Sequence, residues 1–318
     1  MKLILIGWSF LAASTAAAQG FPSAPVRIVI GVSAGGLSDV LARGMAQELS
    51  KTWKQPVIIE NRTGASDVLA TSHVIKSAPD GHTILQTAAG TVMANEFLRK
   101  SLPYDHDRDL TPVAGVVRTN SLLIAGEKAP IRSVKELVDL AKAKPDSLFY
   151  GSFGIASTQH LLALELNQVA GMSTKHVPYK GGSDVIRALL SKDIHFSFTA
   201  ITPSLPFVKS GEIKALGYAG ERRWPGLPDV PTLRELGYNM RTASWLLWLV
   251  PAATPKEVVE KIAADASRVL QAPAFRERFI YGAGLDDLHT GPASTAELLA
   301  ETRKSYAARV VELDLKPR

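Results

Sequence analysis

The 318-residue chain contains no cysteine, which excludes disulfides, thiolate nucleophiles and cysteine-bound metal centres together. It also leaves no thiol to carry a lipid tether. Basic residues number 36 against 30 acidic ones but never gather into a run. The modest positive balance therefore reads as a solvated surface, and no nucleic-acid partner is expected. Beyond the N-terminal segment, no apolar stretch nears the ~20 residues that span a bilayer. The P-loop, the H-E-x-x-H metal motif and the dinucleotide fingerprint are missing as well. His73, His82 and His106 fall in separate segments without metal-ligand spacing, so neither metal nor cofactor is expected.

What is present begins with a leader. Met1-Lys2 gives a minimal positive start, Leu3–Leu11 an apolar run, and Ala16-Ala17-Ala18 a small-residue cleavage site. This pattern predicts a signal peptide over residues 1–18, cut before Gln19. The expectation is a cleaved, soluble periplasmic protein. A chain of about 300 residues can bury a core large enough to do without disulfides.

Two stretches share one design. The apolar run from Val26 to Val32 enters Ser33-Ala34-Gly35-Gly36-Leu37-Ser38-Asp39 and then a predicted helix over 40–50. Far downstream, Ser147-Leu148-Phe149-Tyr150 enters Gly151-Ser152-Phe153-Gly154-Ile155-Ala156-Ser157-Thr158 and a helix over 159–169. Each is a strand, a turn of small residues and a helix start with free amides. Such a start attracts anions through its unpaired N–H groups and the positive end of the helix dipole. Two of them in different lobes imply a cleft that grips an organic anion from both sides.

Strand-like runs alternate with helical patterns along the chain, which predicts an α/β fold with mostly parallel sheets. Strands are expected near 57–60, 83–86, 122–125, 149–150, 175–177, 195–198 and 215–219. Helices are expected over 66–77, 133–143, 158–170, 182–191 and 203–209. Ser133 and Glu136 form a capping box, and Pro255 opens a later helix. The chain is expected to cross between lobes within 113–125 and again within 215–219. That makes residues 19–122 plus 220–318 one lobe, discontinuous, and 123–219 the other, the hinge architecture of proteins that close around a ligand.

At these residues the chain resembles the Bug-type periplasmic substrate-binding receptors of tripartite tricarboxylate transporters. The matching segments include Phe21–Arg27, Gly35–Arg43, Glu60-Asn61-Arg62, Ala78–Thr83, Leu102–Asp105, Tyr150-Gly151-Ser152, Ser157–His160, Val177–Gly182, Leu227–Thr232 and Ala253-Thr254-Pro255. Their order and spacing span nearly all of the mature length. The resemblance implies a two-lobed Venus-flytrap fold of the type 2 periplasmic binding proteins. It also implies a ligand carboxylate held near the hinge by backbone amides of the two loops. The first jaw is then Ala34, Gly35, Gly36, Leu37 and Ser38, and the second Ile155, Ala156, Ser157 and Thr158. Thr87–Thr91, with Ala89, Gly90 and Thr91, matches a third lining loop, and Lys180-Gly181-Gly182 a fourth.

Two departures from the family pattern stand out. Where the family runs Arg-Pro-Gly-Ala-Gly-Gly-Asn, this chain has Arg62-Thr63-Gly64-Ala65-Ser66-Asp67. Where the family often places an acid after the strand phenylalanine, this chain has Phe198-Thr199-Ala200-Ile201-Thr202. Thr202 is kept as a lining candidate, and the missing acid argues against an amino-acid ligand and for a plain carboxylate. Asp39 is expected either to cap its helix or to orient ligand, and Lys180 either to meet a distal carboxylate or to sit on the rim. His160, Trp245 and Trp248 are expected to be structural, and Arg222-Arg223-Trp224 a solvated turn.

The function expected is a monomeric receptor that captures a small organic carboxylate and delivers it to an integral-membrane permease. Two other classes compete. An orphan receptor feeding a signalling membrane protein would present the same closed lobes. A hydrolase would have to use Ser157 and His160, three residues apart on a helix start and without an orienting acid.

Overall fold

The structure, a computed structural model, describes residues 20–126, 131–155, 157–220, 222–240, 244–312 and 315–317. The leader over residues 1–18 lies outside the described residues.

Among the described residues, eleven strands form two sheets. They are β1 (Val26–Ile30), β2 (Val57–Asn61), β3 (Thr83–Ala88), β4 (Leu110–Thr119), β5 (Leu122–Ala125), β6 (Phe149–Ser152), β7 (Lys175–Pro178), β8 (Phe196–Thr199), β9 (Lys214–Tyr218), β10 (Ser244–Pro251) and β11 (Asp286–Thr290). The first sheet runs β11-β4-β10-β3-β1-β2 and the second β7-β6-β8-β5-β9. Parallel pairing holds within the strand–helix–strand units, β2-β1-β3 and β7-β6-β8. The strands flanking the two passages between sheets, β4, β5, β9 and β10, pair antiparallel. Both sheets are therefore mixed where mostly parallel ones are expected, because a strand that brings the chain back cannot also run alongside.

The first sheet is buried on both faces, and the side-chain period of two explains how. In β10, Leu246, Trp248 and Val250 enter one core with the helices Leu37–Trp53 and Lys256–Gln271. Trp245, Leu247 and Leu249 enter the opposite core, which includes Ala70 and Val74 of the helix Val68–Ile75. The second sheet divides likewise, Leu123 and Ala125 to one core, Leu122 and Ile124 to another. Removing every inward side chain of a strand from water at about 25 cal/mol per Å² of apolar area is what fixes its register.

The first passage between sheets takes only Asn120 and Ser121, between β4 and β5. The return comes later than residue 220. Leu233, Tyr238 and Met240 still pack in a core of the second sheet, and the Leu233 amide donates to the Tyr218 carbonyl at 2.8 Å. The segment 222–240 therefore stays with the second lobe. The C-terminal helix Pro292–Glu312 starts on the first sheet and ends against the second lobe. There Arg309 pairs with Glu165 at 2.5 Å, both buried.

Candidate functional site

The first jaw is the turn between β1 and the helix Leu37–Trp53. Gly36 precedes this helix in extended backbone, and no side chain caps it. Its first-turn amides are therefore left for an anion. The turn is held from behind. Asp39 accepts from the Gly35 amide at 3.0 Å, from Arg43 at 2.8 and 2.9 Å, and from Asn61 at 3.0 Å. Burial pushes the Asp39 carboxyl up, but the Arg43, Gly35 and Asn61 hydrogen bonds outweigh it and hold it below its ordinary pKa. Two expectations are corrected here. The Gly35 amide is spent on Asp39, and Asp39 shapes the loop without lining the cavity. Ser38 is fixed from the other side. The Gln86 amide donates to its carbonyl and hydroxyl, both at 2.7 Å, and Trp248 donates to Gln86 at 2.9 Å.

The second jaw follows β6. Ser157 caps the helix Thr158–Ala170 by accepting from the His160 amide at 3.3 Å. Its own hydroxyl and amide both donate to the Gly154 carbonyl, at 2.9 and 3.2 Å. Ser157 is thus engaged in holding the turn. Thr158 and Gln159 line the cavity, and Thr158 Oγ1 is buried with no hydrogen-bond partner. Ile155 is 37% exposed and offers its carbonyl to Ser66 Oγ at 2.9 Å. Ala156 lies outside the described residues.

The expected third loop is not a loop. Thr87 and Ala88 close β3, and Ala89 to Leu98 form a helix without a side-chain cap. Ala89 and Gly90 flank the cavity and Thr91 lines it. A Cβ on Gly90 would stand 2.6 Å from Thr158 Oγ1 and 3.4 Å from Ser244 Oγ, so glycine here lets the jaws meet. In the fourth segment Gly182 lines the cavity. Gly181 packs against Ser33, where a Cβ would come 2.3 Å from its hydroxyl. Lys180 is exposed and off the cavity wall, and Thr202 stands apart from it with a buried, unpartnered hydroxyl. Ala34 is exposed and takes a hydrogen bond on its carbonyl from Ser183 at 2.9 Å. His160 stacks on Tyr150 and packs at a tilt against His176 inside the second lobe.

Of the residues expected, Gly36, Leu37, Ser38, Thr87, Thr91, Thr158 and Gly182 come together in one cavity between the lobes. Its floor is the passage Thr119-Asn120-Ser121. Its volume is about 70 Å³, room for several waters or one small organic molecule. Its walls are hydroxyls, amides and apolar side chains such as Phe153, Pro203 and Leu246, and among the described residues no lysine or arginine lines it. The positive ends of the helices starting at Leu37 and Thr158 are what the described wall offers an anion. Sequence reasoning missed Asp67, Gln86, Asn120, Ser121 and Ser244 in this wall. Only Asp67 carried a signal, since it stands in the segment that departs from the family pattern.

The first loop also has the G-x-S-x-G spacing of a nucleophile elbow, Gly31-Val32-Ser33-Ala34-Gly35, on a strand-to-helix turn. Ser33 Oγ is buried, and among the described residues no base is hydrogen-bonded to it of the kind that activates such a serine.

Two α/β lobes meeting over a small cavity at their crossing strands define a two-lobed solute-binding protein. The family model described as tripartite tricarboxylate transporter family receptor matches residues 41–315, and the chain belongs to this family. It is 31% identical to a UPF0065 protein of Bordetella bronchiseptica over 99% of this chain and 94% of that one. The structure of the periplasmic binding protein BugD superposes with a TM-score of 0.88 and 28% identity, covering 94% of this chain and 100% of that one. The R. palustris protein Rpa4515 with adipate does so with a TM-score of 0.89 and 28% identity, over 94% and 100%.

Proposed function

We propose that the protein is a periplasmic receptor that closes its two lobes on a small carboxylate and delivers it to a membrane permease. The observation that carries this reading is the pair of helix starts, Gly36–Ser38 and Thr158-Gln159, facing one cavity whose described wall holds no basic side chain. Backbone amides to a charged oxygen contribute roughly 1.5–3 kcal/mol each. A few of them, after the costs of association, support binding near ~1 μM, about 8 kcal/mol. The adipate held by Rpa4515 supports a carboxylate as the ligand, and the family description supports a transporter as the destination. The name of BugD supports the periplasm.

Ligand binds the closed lobes better than the open ones and shifts the equilibrium by that difference. The closed form is then the surface a permease reads. No bond is made or broken. The protein acts as a monomer without a cofactor.

A thermal-shift screen of the mature protein against organic acids, amino acids and neutral sugars tests this. Stabilisation confined to carboxylate-bearing compounds is expected. Stabilisation by neutral sugars alone overturns the anion reading, and chemical turnover of any hit overturns the receptor reading.

A further inference from the structure

Asp67 is the one carboxyl in the described cavity wall, and it is only 6% exposed. Its Oδ2 accepts from Thr87 Oγ1 at 2.6 Å. Its Oδ1 packs against Gly31, where a Cβ would come within 2.2 Å. Among the described residues no lysine, arginine or histidine pairs with it. The neighbouring guanidinium of Arg99 is engaged by the Ala65 carbonyl and by Asn95. Burial raises the Asp67 pKa, and the Thr87 hydrogen bond only partly offsets this.

Such a group is costly. An unpaired buried carboxylate loses several kcal/mol of hydration. The backbone adds to the cost: Ala65, Ser66 and Asp67 have φ of 49°, 53° and 68°, three successive non-glycine residues in the left-handed region. Asp67 does not offset this as a helix cap, since its side chain makes no cap hydrogen bond to the helix Val68–Ile75. What the strained turn does achieve is placement. Ser66 is bonded across the lobes to Ile155, and Asp67 faces the cavity beside the jaws.

We infer that Asp67 receives the ammonium group of a zwitterionic ligand, so that this receptor takes an amino acid rather than a plain dicarboxylate. The inference rests on the carboxylate reading above and deepens it. An ionised Asp67 beside an amide-held carboxylate is repulsive, and a ligand carrying both charges removes the conflict. An ammonium brings three donors and needs three acceptors. The same wall holds two more that are buried and without a hydrogen-bond partner among the described residues, Thr158 Oγ1 and Ser244 Oγ. The acid missing after Phe198 is thus supplied from the other lobe, in a turn where sequence pattern gives no side-chain direction.

The test is calorimetry on the mature protein with the common amino acids, each set against the amine-free acid of the same carbon skeleton. Aspartate against succinate and glutamate against glutarate are two such pairs. The wild type is expected to prefer the amino member of its best pair at least tenfold. Asp67→Asn, which keeps the shape, should lose that preference while remaining folded by its melting temperature. Asp67→Gly should lose it too and relieve the left-handed strain. Equal or tighter binding of the amine-free member overturns the inference, as does a preference that survives both variants. Dicarboxylate affinity that rises as pH falls also overturns it, because Asp67 would then act as a neutral donor. If no carboxylate of either kind binds, the reading of the cavity as a carboxylate site fails, and the inference falls with it.

Discussion

The Gly35 amide donates to the Asp39 carboxylate at 3.0 Å, so the exposed glycine of the first jaw holds the loop instead of the ligand. With Arg43 and Asn61 on the same carboxylate, Asp39 fixes the approach of the amides that follow it. Asp39→Ala is expected to lose about 1–3 kcal/mol of stability and to weaken ligand binding about tenfold, measured by chemical denaturation and calorimetry. Because Asp39 has a folded-state pKa below its ordinary value, its contribution is present above the normal carboxylate range. That contribution is lost as pH falls through the lowered pKa.

Gly90 and Thr158 belong to different lobes and stand against each other beside the cavity. Gly90→Ala would place a methyl 2.6 Å from Thr158 Oγ1. In the proposed opening and closing of the lobes the clash burdens the closed form, so melting temperature without ligand should change little. Affinity should fall tenfold or more, and Thr158→Ala in the same chain should recover part of it. Small-angle scattering with ligand should show the single variant remaining open.

Burial, with Arg303 nearby, pushes the His106 pKa down to about 4 from 6.5. The folded protein therefore binds this proton less readily than the unfolded chain. Stability from neutral His106 is complete above about pH 6.5 and is lost progressively down to about pH 4, roughly 1–3 kcal/mol in all. Denaturation midpoints measured across this window should fall with pH, and His106→Gln should flatten that slope.

The alternation of apolar runs made most of the fold legible. β5 over Leu122–Ala125 and the helix Val134–Ala143, capped by Ser133 to the Glu136 amide at 3.1 Å, stand where period and capping box put them. The helix Ala89–Leu98 escaped notice because it has no capping side chain and begins with alanine and glycine. The antiparallel pairing of β10 with β3 and β4 depends on contacts far apart in sequence, which no local pattern encodes. The jaws were legible as loops, but not which of their amides remain free. That depends on Asp39 reaching back to Gly35 and on Ser157 closing its own turn. Asp67 was hidden for a similar reason: its side chain reaches the cavity only because three residues adopt left-handed backbone.

A crystal structure of the mature protein with its tightest-binding carboxylate tests the central claim most directly. The account predicts ligand carboxylate oxygens within about 3.2 Å of main-chain amides at both Gly36–Ser38 and Thr158-Gln159. A carboxylate bound through side chains elsewhere, with either helix start turned away from it, would contradict the account.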